Sequence, residues 1–160
     1  MQGSATVNMS APADKIWDLI ADVRNTGRFS PEVFESEWLD GATGPALGAR
    51  FRGHVKRNEI GPVYWTTCRV TSCEPGREFG FDVLVGDRAA NTWHYRLTPV
   101  DGGTEVTESW EFLPGGRSQF EEWFGDDAED QVADRYEKAK TGIPETLAAI
   151  KRTAEAQPAS

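Results

Sequence analysis

Residues 91–114 read NTWHYRLTPV, then DGG, then TEVTESWEFLP. At period two the first arm sets Trp93, Tyr95 and Leu97 on one face and Thr92, His94, Arg96 and Thr98 on the other, the alternation of a half-buried strand. Asp101, Gly102 and Gly103 supply the left-handed backbone positions a tight connection needs. A second arm rich in Thr, Val, Trp and Phe begins at Thr104. The arms are expected to pair antiparallel. On the second arm Val106, Glu108, Trp110 and Phe112 share a face, so one carboxylate falls among apolar neighbours. A lone buried carboxylate costs several kcal/mol unless it is paired, protonated or wet, which makes Glu108 the most informative anomaly in the chain.

The 160 residues suit one domain over 1–155, with a disordered tail at 156–160, and are enough to bury roughly two-thirds of the unfolded surface. A net charge of -9 opposes nucleic acid, whose affinity depends on neutralised phosphates, and opposes anionic membrane surfaces. No basic start precedes an apolar run and no stretch reaches the length of a membrane span, so a cytoplasmic protein without stable membrane insertion is expected. Cys68 and Cys73, five residues apart, would point to opposite faces of one strand unless a bulge intervenes, and are read as reduced.

Outward from the hairpin, residues 4–9 alternate weakly and suit a first strand. Ser10 or Ala11 is expected to cap a helix over 12–22, with Pro12 in its first turn and Ile16, Leu19, Ile20 and Val23 on its apolar face. A short second helix over 24–30 should stop at Ser30, because Pro31 disfavours helical angles before it. Strand-like runs follow at 32–39, 49–58, 63–74 and 78–85, divided by DGATGPALG, GPV, EPG and GDRAAN. Within 32–39, Val33 and Leu39 argue for one inward face and Phe34 and Trp38 for the other. At the end of the chain Val132, Tyr136, Ala139, Ile143, Leu147 and Ile150 form an apolar stripe on one long helix, with a kink expected near Gly142 and Pro144.

This order is an α+β arrangement: a curved seven-stranded antiparallel sheet, two short helices between its first and second strands, and a long C-terminal helix. APADKIWDLIADV at 11–23, FSPEV at 29–33, GARFRG at 48–53, the hairpin, and TGIPETLAAIKRTAEA at 141–156 resemble the START-like (SRPBCC, Bet v 1-like) superfamily, in particular its polyketide cyclase/dehydrase and lipid-transport branch. The resemblance implies the helix-grip fold, with a cavity between sheet and long helix that takes hydrophobic or amphipathic small molecules. No family-wide catalytic motif comes with it.

On that fold the alternation gives the ligand-facing set. Phe51 and Val55 come from one strand, and Phe79, Phe81 and Val83 from another. The hairpin adds Trp93, Tyr95, Val106 and Trp110, and the helix adds Tyr136 and Ile143. Trp38 and Trp65 also fall in strands, where aromatic rings would line a pocket or fill the core. Glu108 is the candidate acid or base, with Tyr64 or Tyr95 beside it; the structural alternative is a carboxyl paired with an Arg or Tyr. His54 and His94 face outward by alternation. No metal-ligand spacing, phosphate loop or nucleophile elbow is present, so neither a metal nor a cofactor is expected. The run FEEWFGDDAEDQ lacks calcium-loop spacing and reads as a solvated helix entrance; Trp123 and Phe124 within it would cap the cavity mouth or a dimer contact.

The leading expectation is a monomeric or homodimeric protein that binds or transports a lipid-like or polyketide-like molecule without turnover. The alternatives are a cyclase or dehydrase using Glu108, and a module binding a partner protein in the groove.

Overall fold

A computed structural model describes residues 1–56 and 62–156. Residues 57–61 and 157–160 lie outside it, and with them the end of the third expected strand, the first residue of the GPV turn and most of the expected tail.

The hairpin forms as its pattern requires. β6 (Arg88–Val100) and β7 (Gly103–Phe112) pair antiparallel, with Trp93 opposite Trp110 and Tyr95 opposite Glu108. Val100 pairs with Gly103, so the connection is Asp101 and Gly102 alone, and of the DGG residues only Gly102 takes a left-handed angle, at φ +81°. Gly103 is needed for another reason: a Cβ there would lie 2.1 Å from the Met9 carbonyl oxygen.

Around this pair the sheet has the order β1-β7-β6-β5-β4-β3-β2, antiparallel throughout. Its remaining strands are β1 (Gln2–Met9), β2 (Val33–Trp38), β3 (Arg50–Lys56), β4 (Val63–Glu74) and β5 (Glu78–Val85). Helix α1 (Ala13–Ala21) buries Ile16, Trp17, Leu19 and Ile20, and the Trp17 indole N–H donates to the Glu78 carbonyl at 2.8 Å. Pro12 is the extended residue before the helix, at φ -66° and ψ 145°, and no side chain caps it. The expected cap at Ser10 or Ala11 therefore lies too early in the chain. A 3₁₀ turn at Val23–Asn25 leads into α2 (Thr26–Phe29), which ends at Ser30 with ψ 137°, the extended angle Pro31 imposes.

Two bulges change what alternation predicted. The register of β2 shifts between Val33 and Glu35, so Val33, Ser36 and Trp38 all turn inward while Phe34, Glu35 and Glu37 face out. Neither single face expected for this strand survives. In β4 the shift between Val70 and Ser72 returns Cys73 to the core side, the same side as Cys68, and both remain free thiols.

The C-terminal half carries one helix more than the sequence suggested. α3 (Pro114–Phe124) starts on Pro114, and a 3₁₀ turn at Gly125–Asp127 joins it to α4 (Ala128–Ala156). α4 continues through Pro144 as one helix, because residues on both sides of the proline are anchored: Ala139 and Ile143 before it, Leu147 and Ile150 after it are buried. Each such aliphatic side chain contributes about 1.5–3 kcal/mol by leaving water. The helix packs on β1 and β7, and α1 and α2 close the other flank.

Candidate functional site

Between the concave face of the sheet and α4 lies a pocket of about 510 Å³. Its size follows from unequal partners. The strands send in large rings, Phe51, Phe79, Phe81, Trp93, Tyr95 and Trp110, with Val55 and Val83 beside them. Where α4 faces them it carries Ala139 and Gly142, which fill little of the gap. Ile20, Val23 and Phe29 from the α1–α2 segment close one side, and Phe120 and Trp123 from α3 close another.

Three of the expected wall residues are elsewhere. Val106 lies opposite Val7 and Leu97, is fully buried and belongs to the packed core. Ile143 is packed in the same core, while the pocket is met by the neighbouring stripe of Arg135, Lys138, Gly142 and Thr146. Tyr136 lays its ring against Trp110, with centroids 6.3 Å apart, and does not reach the wall.

Glu108 does reach it, from a position only 2% exposed. Its neighbours on β7 are Val106 and Trp110, and across the strands it faces Ala5 and Tyr95. The Tyr95 hydroxyl donates to the carboxyl, which lowers its pKa, but burial outweighs this and pushes it up to about 8. The phenol itself is raised well above its ordinary range, by burial first and by the nearby Glu108 charge second. Near neutral pH the pair is thus a carboxylic acid beside a phenol, and Glu108 Oε1 has no hydrogen-bond partner. Tyr64, the other tyrosine considered, is on β4. Three strand spacings, about 14 Å, separate β4 from β7, so it is not the one beside Glu108.

Further polar groups on the wall were not foreseen. Asn91, at the start of the hairpin's inward face, presents a buried amide oxygen with no donor. Arg135 and Lys138 approach from α4, and the Arg135 guanidinium sits over the Phe120 ring at 5.1 Å while bonding Gln131 at 3.1 Å. Extending the apolar stripe of α4 by one residue on its flank would have found both.

The remaining chemistry-bearing side chains belong to other strands and helices than Glu108. His54 stacks on Trp65 with ring centroids 4.1 Å apart, and its Nδ1 meets Glu35 at 2.7 Å, all on the convex face. Trp65 is 39% exposed with its ring stacked on His54, and the residue borders the pocket. His94 pairs with Glu78 at 3.6 Å. The Cys68 thiol is pushed up to about 12 by burial, which removes it as a nucleophile. Trp123 is 57% exposed at the edge of the pocket, and Phe120 next to it meets Phe112 edge to face with ring centroids 5.2 Å apart. Among the described residues no His, Cys, Asp and Glu cluster of three or more could hold a metal ion, and no helix is long and apolar enough to cross a membrane.

The sequence matches the family model described as polyketide cyclase/dehydrase and lipid transport over residues 2–148. Among solved structures, a polyketide-cyclase-like protein of Corynebacterium glutamicum, Cgl2372, superposes with a TM-score of 0.68 at 37% identity, over 95% of this chain and 90% of that one. Two di-domain ARO/CYC proteins share the fold: StfQ of the steffimycin biosynthetic pathway (TM-score 0.71, 15% identity, 96% of this chain) and BexL of the BE-7585A pathway (TM-score 0.71, 20% identity, 99% of this chain). This chain spans about half of each, 50% and 51%. No curated protein matches the sequence.

Proposed function

Since the chain belongs to the polyketide cyclase/dehydrase and lipid-transport family, we propose that it binds a hydrophobic or amphipathic small molecule between the sheet and α4 and carries it unchanged. The observation that carries this reading is the composition of the wall: aromatic rings surround Glu108, an acid mostly neutral at pH 7 whose neighbour is the Tyr95 hydroxyl, and burial keeps the Cys68 thiol on the same wall protonated. Such a surface offers a large apolar contact and few polar anchors, the usual makeup of a small-molecule site. Native mass spectrometry of the protein as purified, followed by organic extraction, tests it. A discrete added mass that extracts as a lipid or polyketide supports the proposal; an apo mass, with no tryptophan fluorescence change across fatty acids and aromatic polyketides, overturns it.

A second reading is favoured by one specific feature. A carboxyl with a pKa of about 8 is mostly protonated at pH 7, which suits a general acid that protonates a carbonyl oxygen during cyclisation or dehydration. Glu108→Gln separates the two. Turnover of a polyketide probe that disappears while binding remains makes the protein an enzyme, and turnover absent in the parent leaves the carrier.

A further inference from the structure

Where the hairpin forms the pocket wall, Glu108 Oε1 and Asn91 Oδ1 are buried without a hydrogen-bond partner. They differ in sense. Glu108 accepts a hydrogen bond from the Tyr95 hydroxyl and is mostly protonated near neutral pH, which leaves its unpartnered oxygen able to donate. Asn91 presents an acceptor with no donor. Buried polar groups are nearly always satisfied, so an unmade hydrogen bond on a pocket wall calls for a partner from within the pocket.

The spacing of the two is set by the hairpin. Glu108 lies directly opposite Tyr95 and Phe112 directly opposite Asn91 in an unbroken register. Asn91 and Tyr95 are four residues apart on β6 and point to the same side, which separates the two polar groups by about 13 Å along the strand. Trp93 and Trp110, themselves a cross-strand pair, stand between them with ring centroids 6.3 Å apart. The floor between the two polar ends is thus aromatic.

Building on the small-molecule binding proposed above, we propose that the pocket selects a flat ligand at two points. Glu108 donates to a carbonyl oxygen at one end, and the Asn91 amide oxygen accepts from a hydroxyl at the other. Trp93 and Trp110 hold the apolar body between. A pure hydrocarbon of the same shape leaves both wall atoms unmatched, and the ligand class is a hydroxy-ketone of fused-ring length.

Three probes test this by isothermal titration calorimetry near neutral pH. They are a naphthalene with an acetyl group and a hydroxyl at opposite ends, its ethyl analogue without the ketone oxygen, and the acetylnaphthalene without the hydroxyl. The hydroxy-ketone is expected to bind about tenfold more tightly than either analogue. Glu108→Leu should abolish the preference over the ethyl compound and keep the preference over the compound lacking hydroxyl; Asn91→Leu should do the reverse. Glu108→Gln, which retains a donor, should restore part of the ketone preference and guards against a leucine variant that does not fold. Equal affinities for the three probes, or preferences that persist in both leucine variants, overturn the two-point recognition while binding itself stands. Failure of all three to bind the parent overturns the pocket reading and this inference with it.

Discussion

Glu108 is the residue whose surroundings depart furthest from what its chemistry prefers, and its titration has a definite sign. Its pKa moves from an ordinary 4.5 to about 8 in the folded protein. Below the lower value both folded and unfolded chains hold the proton; between the two only the folded chain does. The favourable contribution is therefore complete below about pH 4.5 and is lost as pH rises to about 8, at roughly 1.4 kcal/mol per pH unit at most. Glu108→Gln removes that slope: its stability relative to the parent should rise steadily across this window and level off above it, with a ceiling of about 4 to 5 kcal/mol. Urea unfolding of both proteins at pH 5, 7 and 9 measures the difference, and a constant difference would mean an ordinary carboxylate. Tyr95→Phe removes the hydrogen bond that lowers the Glu108 pKa, so the levelling-off point should move to higher pH. Glu108 was legible because strict alternation along 104–112 sets it between Val106 and Trp110. Asn91 was not, because an Asn at the start of a strand looks like turn chemistry until its neighbour Phe112 fixes the register.

At the element scale the interruptions of regular pattern were the hidden part. One period-two reading cannot put Val33, Ser36 and Trp38 on the same side, and the bulge in β2 does. The same device in β4 reverses the expectation for Cys73. Helix α3 is hard to see in the sequence because Gly115 and Gly116 are poor helix formers, yet both are required by close packing on β6. A Cβ on Gly116 would lie 2.4 Å from the Ala90 carbonyl oxygen. Helix propensity alone would make Gly116→Ala stabilising, whereas this backbone clash should make it destabilising by about 1–3 kcal/mol and displace α3. Gly44→Ala is the control, with nothing within 4 Å of its new Cβ, and should be neutral or stabilising by a few tenths of a kcal/mol. A pair of chemical-denaturation curves decides it, and equal midpoints would remove the packing account of α3.

At the scale of the whole molecule, element order and the stripe of α4 were enough to read the helix-grip arrangement, since one long apolar stripe must lie on the concave side of a sheet whose strands alternate. The space left between them was not readable. It depends on Ala139 within that stripe and Gly142 on its flank, where the strands send in Phe81, Trp93 and Trp110. Space lined by apolar rings forfeits the contacts that would fill it, so the pocket lowers stability unless a ligand occupies it. Gly142 shows the trade directly. Its Cβ position is 3.7 Å from the Pro31 side chain, an ordinary contact, and the residue lines the pocket. Gly142→Leu should therefore gain helix propensity and buried apolar area together, raising stability by about 1–3 kcal/mol, while its side chain takes the volume a ligand needs. The expected result is a higher unfolding midpoint together with at least a tenfold loss of affinity for the naphthyl probes. A variant that loses both stability and affinity would mean that this part of α4 is already closely packed. One that gains stability and keeps affinity would put the ligand elsewhere in the molecule.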